Sequence, residues 1–149
     1  MKRLSTLNET LFQAISSFIK EYRKVSFNAI EEYEFTPSEI DVMMFLFNNA
    51  PLDTAKDISI NKGISKALVC RAVDSLIQKG LISTATDEKD RRIIHLALSN
   101  NASPIVDKLK TSKKLFGDRI LSGISDEEVN AFIKVLNIMK QNVDNIKDE

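Results

Sequence analysis

The chain has one cysteine and one histidine among 149 residues. A single cysteine excludes an intramolecular disulfide framework, and with one histidine it leaves little for a soft-metal site. An excess of charge is missing too, because 21 Lys+Arg cancel 21 Asp+Glu. That balance excludes a protein that coats nucleic acid by bulk charge, though not one with a local basic patch. The apolar stretches are short, so no membrane span is read. Met1-Lys2-Arg3-Leu4 leads into Ser, Thr, Asn and Glu rather than an apolar run, so no secretion signal is read and a cytoplasmic chain is expected. A hydrolytic or acid–base centre needs a convergent set of groups, which the single His95, the single Cys70 and scattered carboxylates do not offer. No enzyme and no cofactor are expected. What remains, at 43% hydrophobic and 28% charged, is an ordinary folded chain long enough for one domain or two small lobes sharing a core.

The charge is unevenly placed. Residues 1–55 carry 5 basic and 8 acidic side chains, and residues 93–149 carry 8 of each. Residues 56–92 carry 8 basic (Lys56, Lys62, Lys66, Arg71, Lys79, Lys89, Arg91, Arg92) and 5 acidic. Only the middle is basic, and that matters for phosphate only if those charges converge, since attraction is screened beyond about 10 Å.

Residues 4–33 read as one long helix. Leu4, Leu7, Leu11, Ile15, Phe18, Tyr22 and Val25 recur every three or four positions and form one stripe. At about 1.5 Å per residue the helix is roughly 40 Å long, more than one small core covers, so part of the stripe is expected to meet another subunit. Thr36-Pro37-Ser38-Glu39 is a capping box with proline at the first helical position. The apolar run from Ile40 to Phe47 makes the helix it opens central, and Asn48-Asn49-Ala50-Pro51 ends it. A short helix starts at Thr54-Ala55-Lys56-Asp57 and finishes near Gly63.

Ser65 opens a helix that runs to about Lys79 and stops at Gly80. Leu68, Val69, Ala72, Val73, Leu76 and Ile77 share its inner side, while Ala67, Cys70, Arg71, Asp74 and Gln78 share the outer one. The outer surface near the start carries only small or polar groups, so it can enter a groove. The period then changes: residues 81–86 and 92–98 read as two strands around a charged tip, Asp87-Glu88-Lys89-Asp90-Arg91-Arg92, whose turn type is open because it lacks glycine. Ile94, Leu96 and Leu98 share one face of the return strand, and Ile93, His95 and Ala97 the other. A helix over about 100–122 follows, started by Ser99 or Ser103, with Ile105, Leu109, Leu115 or Phe116, Ile120 and Leu121 as buried positions. Gly123 stops it. Ser125-Asp126-Glu127-Glu128 then caps a last helix carrying Val129, Phe132, Ile133, Leu136, Met139 and Val143.

A short helix, a longer helix and a two-stranded hairpin in that order form a helix-turn-helix followed by a wing. The order and spacing resemble the multiple-antibiotic-resistance regulator (MarR) family of bacterial transcription factors over about residues 5–147. The resemblance rests on Thr36-Pro37-Ser38-Glu39, Ala55-Lys56-Asp57-Ile58, the run from Ile64 to Leu76 with Lys79-Gly80-Leu81-Ile82, and Asp90-Arg91-Arg92 with Leu98-Ser99. It implies a mainly α fold with a small β wing. Residues 34–99 would form the winged helix-turn-helix lobe, and residues 1–33 and 100–149 the dimerisation helices. It implies a homodimer that binds a pseudo-palindromic operator in double-stranded DNA, usually as a repressor relieved by a small aromatic or phenolic effector.

The same resemblance places helix 65–79 in the major groove and the wing tip in the adjacent minor groove. Ser65 and Lys66 lie at a helix N-terminus that suits a phosphate, or serve as simple cap and solvated cation. Arg71 suits guanine or a phosphate, or a surface ion pair with Asp74 or Asp57. Ala67 and Cys70 are small enough to meet a thymine methyl. Arg92 is the expected minor-groove probe, with Asp90 orienting the loop through an ion pair and Lys89 and Arg91 on phosphates or in solvent. Residues 1–33 contain no cysteine, so oxidant sensing through the first helix does not carry over; a redox response of Cys70 stays open. Tyr22, Met43, Phe47 and Phe116 are candidates for the effector pocket, although each fits core packing better. A winged helix used as a protein-binding module is the rival reading. It calls for a neutral outer face on helix 65–79, against which Lys66, Arg71 and the basic tip argue.

Overall fold

A computed structural model describes the backbone of residues 2–147, and side chains except those of residues 2–5, 7 and 147. The expected burial of Leu4 and Leu7 lies outside the described side chains. Residues up to Lys114 form one compact unit, and residues from Leu115 onward a second.

In the first unit, α1 spans Lys2–Ala29, α2 Pro37–Asn48, α3 Ala55–Lys62 and α4 Lys66–Gln78. Strands β1 (Ile82–Thr86) and β2 (Ile94–Leu98) pair antiparallel, with Thr84 opposite Leu96 and Ala85 opposite His95. A 3-10 turn at Asn100–Ala102 leads into α5, Ser103–Ile120, which continues into the second unit. There, α6 spans Asp126–Lys147.

The first helix is shorter than its periodicity suggests. It ends at Ala29, and a 3-10 turn over Glu31–Tyr33 takes the remaining residues to Glu34, which adopts a left-handed φ of 52°. The reason lies in the core. Ile30 and Phe35 are both buried, and on an unbroken helix they would point about 140° apart. Breaking the helix turns both inward, and Tyr33 stacks on Phe35 with ring centroids 5.6 Å apart.

Helix α2 is the centre of the lobe. Thr36 and Glu39 make the expected capping box, and Val42, Met43 and Phe45 are almost wholly withdrawn from water together with Ile58, Val69, Leu76 and Leu109. Each such side chain contributes roughly 1.5–3 kcal/mol of transfer free energy. Glu39 is buried among them. It accepts from the Thr36 amide at 2.7 Å, the Ser75 hydroxyl at 2.6 Å and the Lys79 ammonium at 2.8 Å, so one carboxylate ties α2 to α4. Burial alone would raise its pKa; the bonds from Lys79, Ser75 and Thr36 outweigh that and hold it below the usual carboxylate value.

Several expected burials fail. Ile77 is about two-fifths exposed, because the inner face of α4 is covered only along the line of Val69, Ala72, Val73 and Leu76; Ile94 on β2 is exposed to the same extent although it shares a face with the buried Leu96. On α5, burial stops at Leu109, and Leu115 (58%), Ile120 and Leu121 are exposed. The apolar faces of α1 and α6 are uncovered as well, through Phe12, Ile15 and Phe18 in one unit and Phe132, Ile133 and Leu136 in the other. No described helix is long and apolar enough to cross a membrane.

Candidate nucleic-acid interface

Two capped helices and a turn set the recognition element. Thr54 and Asp57 form a second capping box at the start of α3, with the Thr54 hydroxyl 2.7 Å from Asp57 Oδ2. Gly63 ends α3 at φ +65°, a conformation that costs glycine nothing. Its amide donates to the Ser59 carbonyl, and the Ser59 hydroxyl donates to the Ile64 carbonyl at 2.7 Å. Ser65 then caps α4, its oxygen accepting from the Leu68 amide at 3.2 Å. At the other end Gly80 takes φ +70° and the Leu81 amide reaches back to the Leu76 carbonyl, a Schellman stop. The Ser99 hydroxyl donates to the Gly80 carbonyl and so fastens that stop to the end of the hairpin.

The outer face of α4 matches its helical plot: Lys66, Ala67, Cys70, Arg71, Asp74 and Gln78 are all exposed. Arg71 makes no ion pair with Asp57 or Asp74. Lys62 instead pairs with Asp41 at 3.6 Å, bridging α3 and α2.

The wing solves its missing glycine with carboxylates. Asp87 Oδ1 accepts from the backbone amides of Lys89 at 2.8 Å and Asp90 at 2.7 Å, so the side chain replaces a backbone turn. Asp90 does the same for the Arg92 amide at 3.0 Å, and its two oxygens also take Arg92 Nε at 3.0 Å and Nη2 at 2.9 Å. This fork holds the Asp90 carboxyl below its usual pKa. Arg92 is held at its base while its side chain stays 89% exposed. Lys89 and Arg91 are exposed beside it. The wing and α4 flank a groove of about 690 Å³, with Lys66 and Cys70 on one wall and Arg92 and Ile94 on the other. Lys56, which is not among the expected DNA contacts, lines it too.

A feature invisible in the sequence lies at the wing's root. His95 Nδ1 is 2.7 Å from Asp53 Oδ1, and Nε2 is 3.1 Å from Asp87 Oδ2. The Leu96 amide donates to the Asp53 carbonyl, bringing the loop before α3 alongside β2. These partners stand 42 and 8 residues away, and no local pattern joins them.

Of the effector-pocket candidates, Tyr22, Met43 and Phe47 do not share one cleft. Tyr22 lines a cleft with Arg23, Ser26, Ile40, Asp41 and Lys113, of only about 40 Å³. Burial raises the Tyr22 pKa and lowers that of Lys113, whose ammonium lies 4.8 Å over the Tyr22 ring. Met43 is fully buried in the core and Phe47 faces solvent under Lys110, so neither lines that cleft. Phe116 falls in the second unit.

The helix-turn-helix and wing have counterparts among known proteins. Residues 33–93, which hold the helix-turn-helix, β1 and the wing tip but not β2, match the model of the MarR family. Over that span the chain resembles the MarR family. Solved MarR-type structures share the fold. A MarR-family transcriptional regulator from Silicibacter pomeroyi is 20% identical, with 87% of each chain covered and a TM-score of 0.76. A MarR transcriptional regulator from Methanosarcina mazei Go1 is 24% identical over 93% of this chain and 99% of that one, with a TM-score of 0.74. BpsR of Bordetella bronchiseptica, whose DNA binding is regulated by 6-hydroxynicotinic acid, is 16% identical over 88% and 98%, with a TM-score of 0.67. Like those structures, the chain is mainly helical with a two-stranded wing.

Proposed function

We propose that the chain is a cytoplasmic transcription regulator that binds double-stranded DNA as a homodimer, without enzymatic activity. The observation that carries this reading is the pairing of an unobstructed α4 face with an Arg92 that is anchored yet exposed, on either side of one groove. A recognition helix in the major groove and a wing in the next minor groove straddle a sugar–phosphate strand, and a groove between them leaves room for it. Ser65 and Lys66 meet a phosphate at the helix start, Ala67, Cys70 and Arg71 face base edges, Arg92 enters the minor groove, and Lys89 and Arg91 lie along the backbone. Asp90 orients Arg92.

Residues 34–99 form the DNA-binding lobe in this reading, while α1, α5 and α6 bury their uncovered apolar faces against a second copy. Two recognition helices then face major grooves about one helical turn apart on a pseudo-palindrome. The regulator acts as a repressor, and a small aromatic or phenolic acid shifts an existing equilibrium of lobe separation. The cleft beside Tyr22 and Lys113 offers such an acid a ring contact and a cation; it must widen, since ligand pockets span roughly 300 Å³ or more.

The deciding experiment measures salt-dependent binding to duplex from the promoter next to the gene, with and without Arg92→Ala. Loss on substitution supports the reading. Equal binding by both proteins, or none by either, sinks it.

A further inference from the structure

We propose that His95 is a positioning residue for the wing: as an imidazolium shared by Asp53 and Asp87 it holds the tip that carries Arg92, so duplex affinity falls as pH rises. The proposal rests on the DNA-binding reading above and adds a residue that touches no DNA in it.

The geometry requires a charged ring. Both ring nitrogens face carboxylate oxygens, Nδ1 at 2.7 Å from Asp53 and Nε2 at 3.1 Å from Asp87. Neutral imidazole has one N–H, so it can donate to one of the two and must turn a lone pair on the other; imidazolium donates to both. The charged groups facing His95 are Asp53 from the loop before α3 and Asp87 from the wing, while β1 offers it only Ala85 across the ladder. Bonds from Asp53 and Asp87 accordingly raise the His95 pKa above 6.5.

Asp87 carries the effect to the tip. Its Oδ2 receives His95 while its Oδ1 receives the amides of Lys89 and Asp90, and Asp90 forks Arg92. The relay thus runs from the loop before α3 through β2 into the turn. The bond from His95, with those amides, holds the Asp87 pKa at about 2. The signs follow directly. The histidine contribution is complete below pH 6.5 and disappears as pH rises through the raised folded value. The Asp87 contribution is complete above 3.8 and disappears as pH falls toward 2. Between these limits the wing is held from both sides.

The test uses the full chain, whose only histidine gives an unambiguous magnetic resonance titration. The probe is one duplex recovered by selection from random sequence with the wild type. Expected are a His95 midpoint above 6.5 that drops in Asp87→Asn and in Asp53→Asn, and a several-fold loss of duplex affinity as pH rises through the wild-type midpoint. In His95→Gln that step disappears, leaving affinity at the weaker level throughout. Comparing variants at each pH removes the contribution of every other group, Cys70 included. A midpoint at or below 6.5, or the same pH profile in wild type and His95→Gln, overturns the proposal. If selection yields no duplex, the DNA-binding reading fails and takes the wing's role with it. The clamp is still read separately, by hydrogen exchange of the Lys89 and Asp90 amides in free protein. Exchange faster in His95→Gln than in wild type below the midpoint, and equal above it, supports the clamp; equal rates throughout overturn it.

Discussion

Replacing Glu39 by alanine tests whether the buried carboxylate joins α2 to α4. Three losses set the magnitude. The reciprocal cap with Thr36 disappears, at about 1 kcal/mol. The half-buried Ser75 hydroxyl loses an acceptor at 2.6 Å, at about 1 kcal/mol. The Lys79 ammonium, 2.8 Å away, loses its partner, but its side chain is 37% exposed and returns to water, so this term is discounted to about 0.5 kcal/mol. The sum is about 2–3 kcal/mol, or roughly 5–10 °C in melting temperature for a chain of this size. Thermal unfolding followed by circular dichroism at pH 7 and fixed protomer concentration reads it, since a dimer's midpoint depends on concentration. The pH dependence follows from linkage. Glu39 has a folded pKa below its ordinary 4.5, so its contribution is complete above 4.5 and is lost as pH falls through the folded value. The gap between wild type and variant therefore narrows on acidification. A melting point within about 1 °C of wild type at pH 7, or a gap that stays constant into acid, refutes the reasoning.

Other outcomes follow from single contacts. Arg92→Ala, measured by fluorescence anisotropy over a salt series, lowers duplex affinity and reduces the slope of log K against log salt by about one, with unfolding unchanged. Phe12→Glu in α1 and Phe132→Glu in α6 each place a charge on an exposed apolar face; on the proposed homodimer, sedimentation equilibrium finds wild type as dimer and each variant as monomer. Glycine substitutions go in opposite directions. Gly117→Ala adds a methyl with nothing within 4 Å inside a helix and raises stability by roughly 0.5–1 kcal/mol in urea titrations. Gly63→Ala forces φ +65° on a side chain and lowers stability by about 1 kcal/mol in the same assay.

Much of the lobe was legible because its signals are local. Thr36 and Glu39, or Ser125 and Glu128, are three residues apart and satisfy backbone donors in any chain that places them so. The outer face of α4 follows from a period of 3.6, and the strand pair from a period of two. The break after Ala29 was not legible. Glu31, Glu32 and Glu34 contain no helix stop, and only competition between Ile30 and Phe35 for one core ends the helix. Burial on α5 was legible only as far as Leu109: periodicity marks a face as apolar, but whether Leu115 or Ile120 has a cover depends on what packs against it. Met43 and Phe47 were indistinguishable likewise, since a large apolar side chain does not reveal whether it sits in the core, as Met43 does, or at the surface, as Phe47 does.

Where this chain turns, caps and alternates was written into its residue order, because those choices are made within a few peptide units. Which carboxylates meet His95, how Glu39 reaches Ser75 and Lys79, and which side chains find cover were settled only when distant segments packed. The physical cause is the reach of the interactions. A cap closes over three residues at little entropic expense, whereas a bond across forty exists only if a whole core has already brought its ends together.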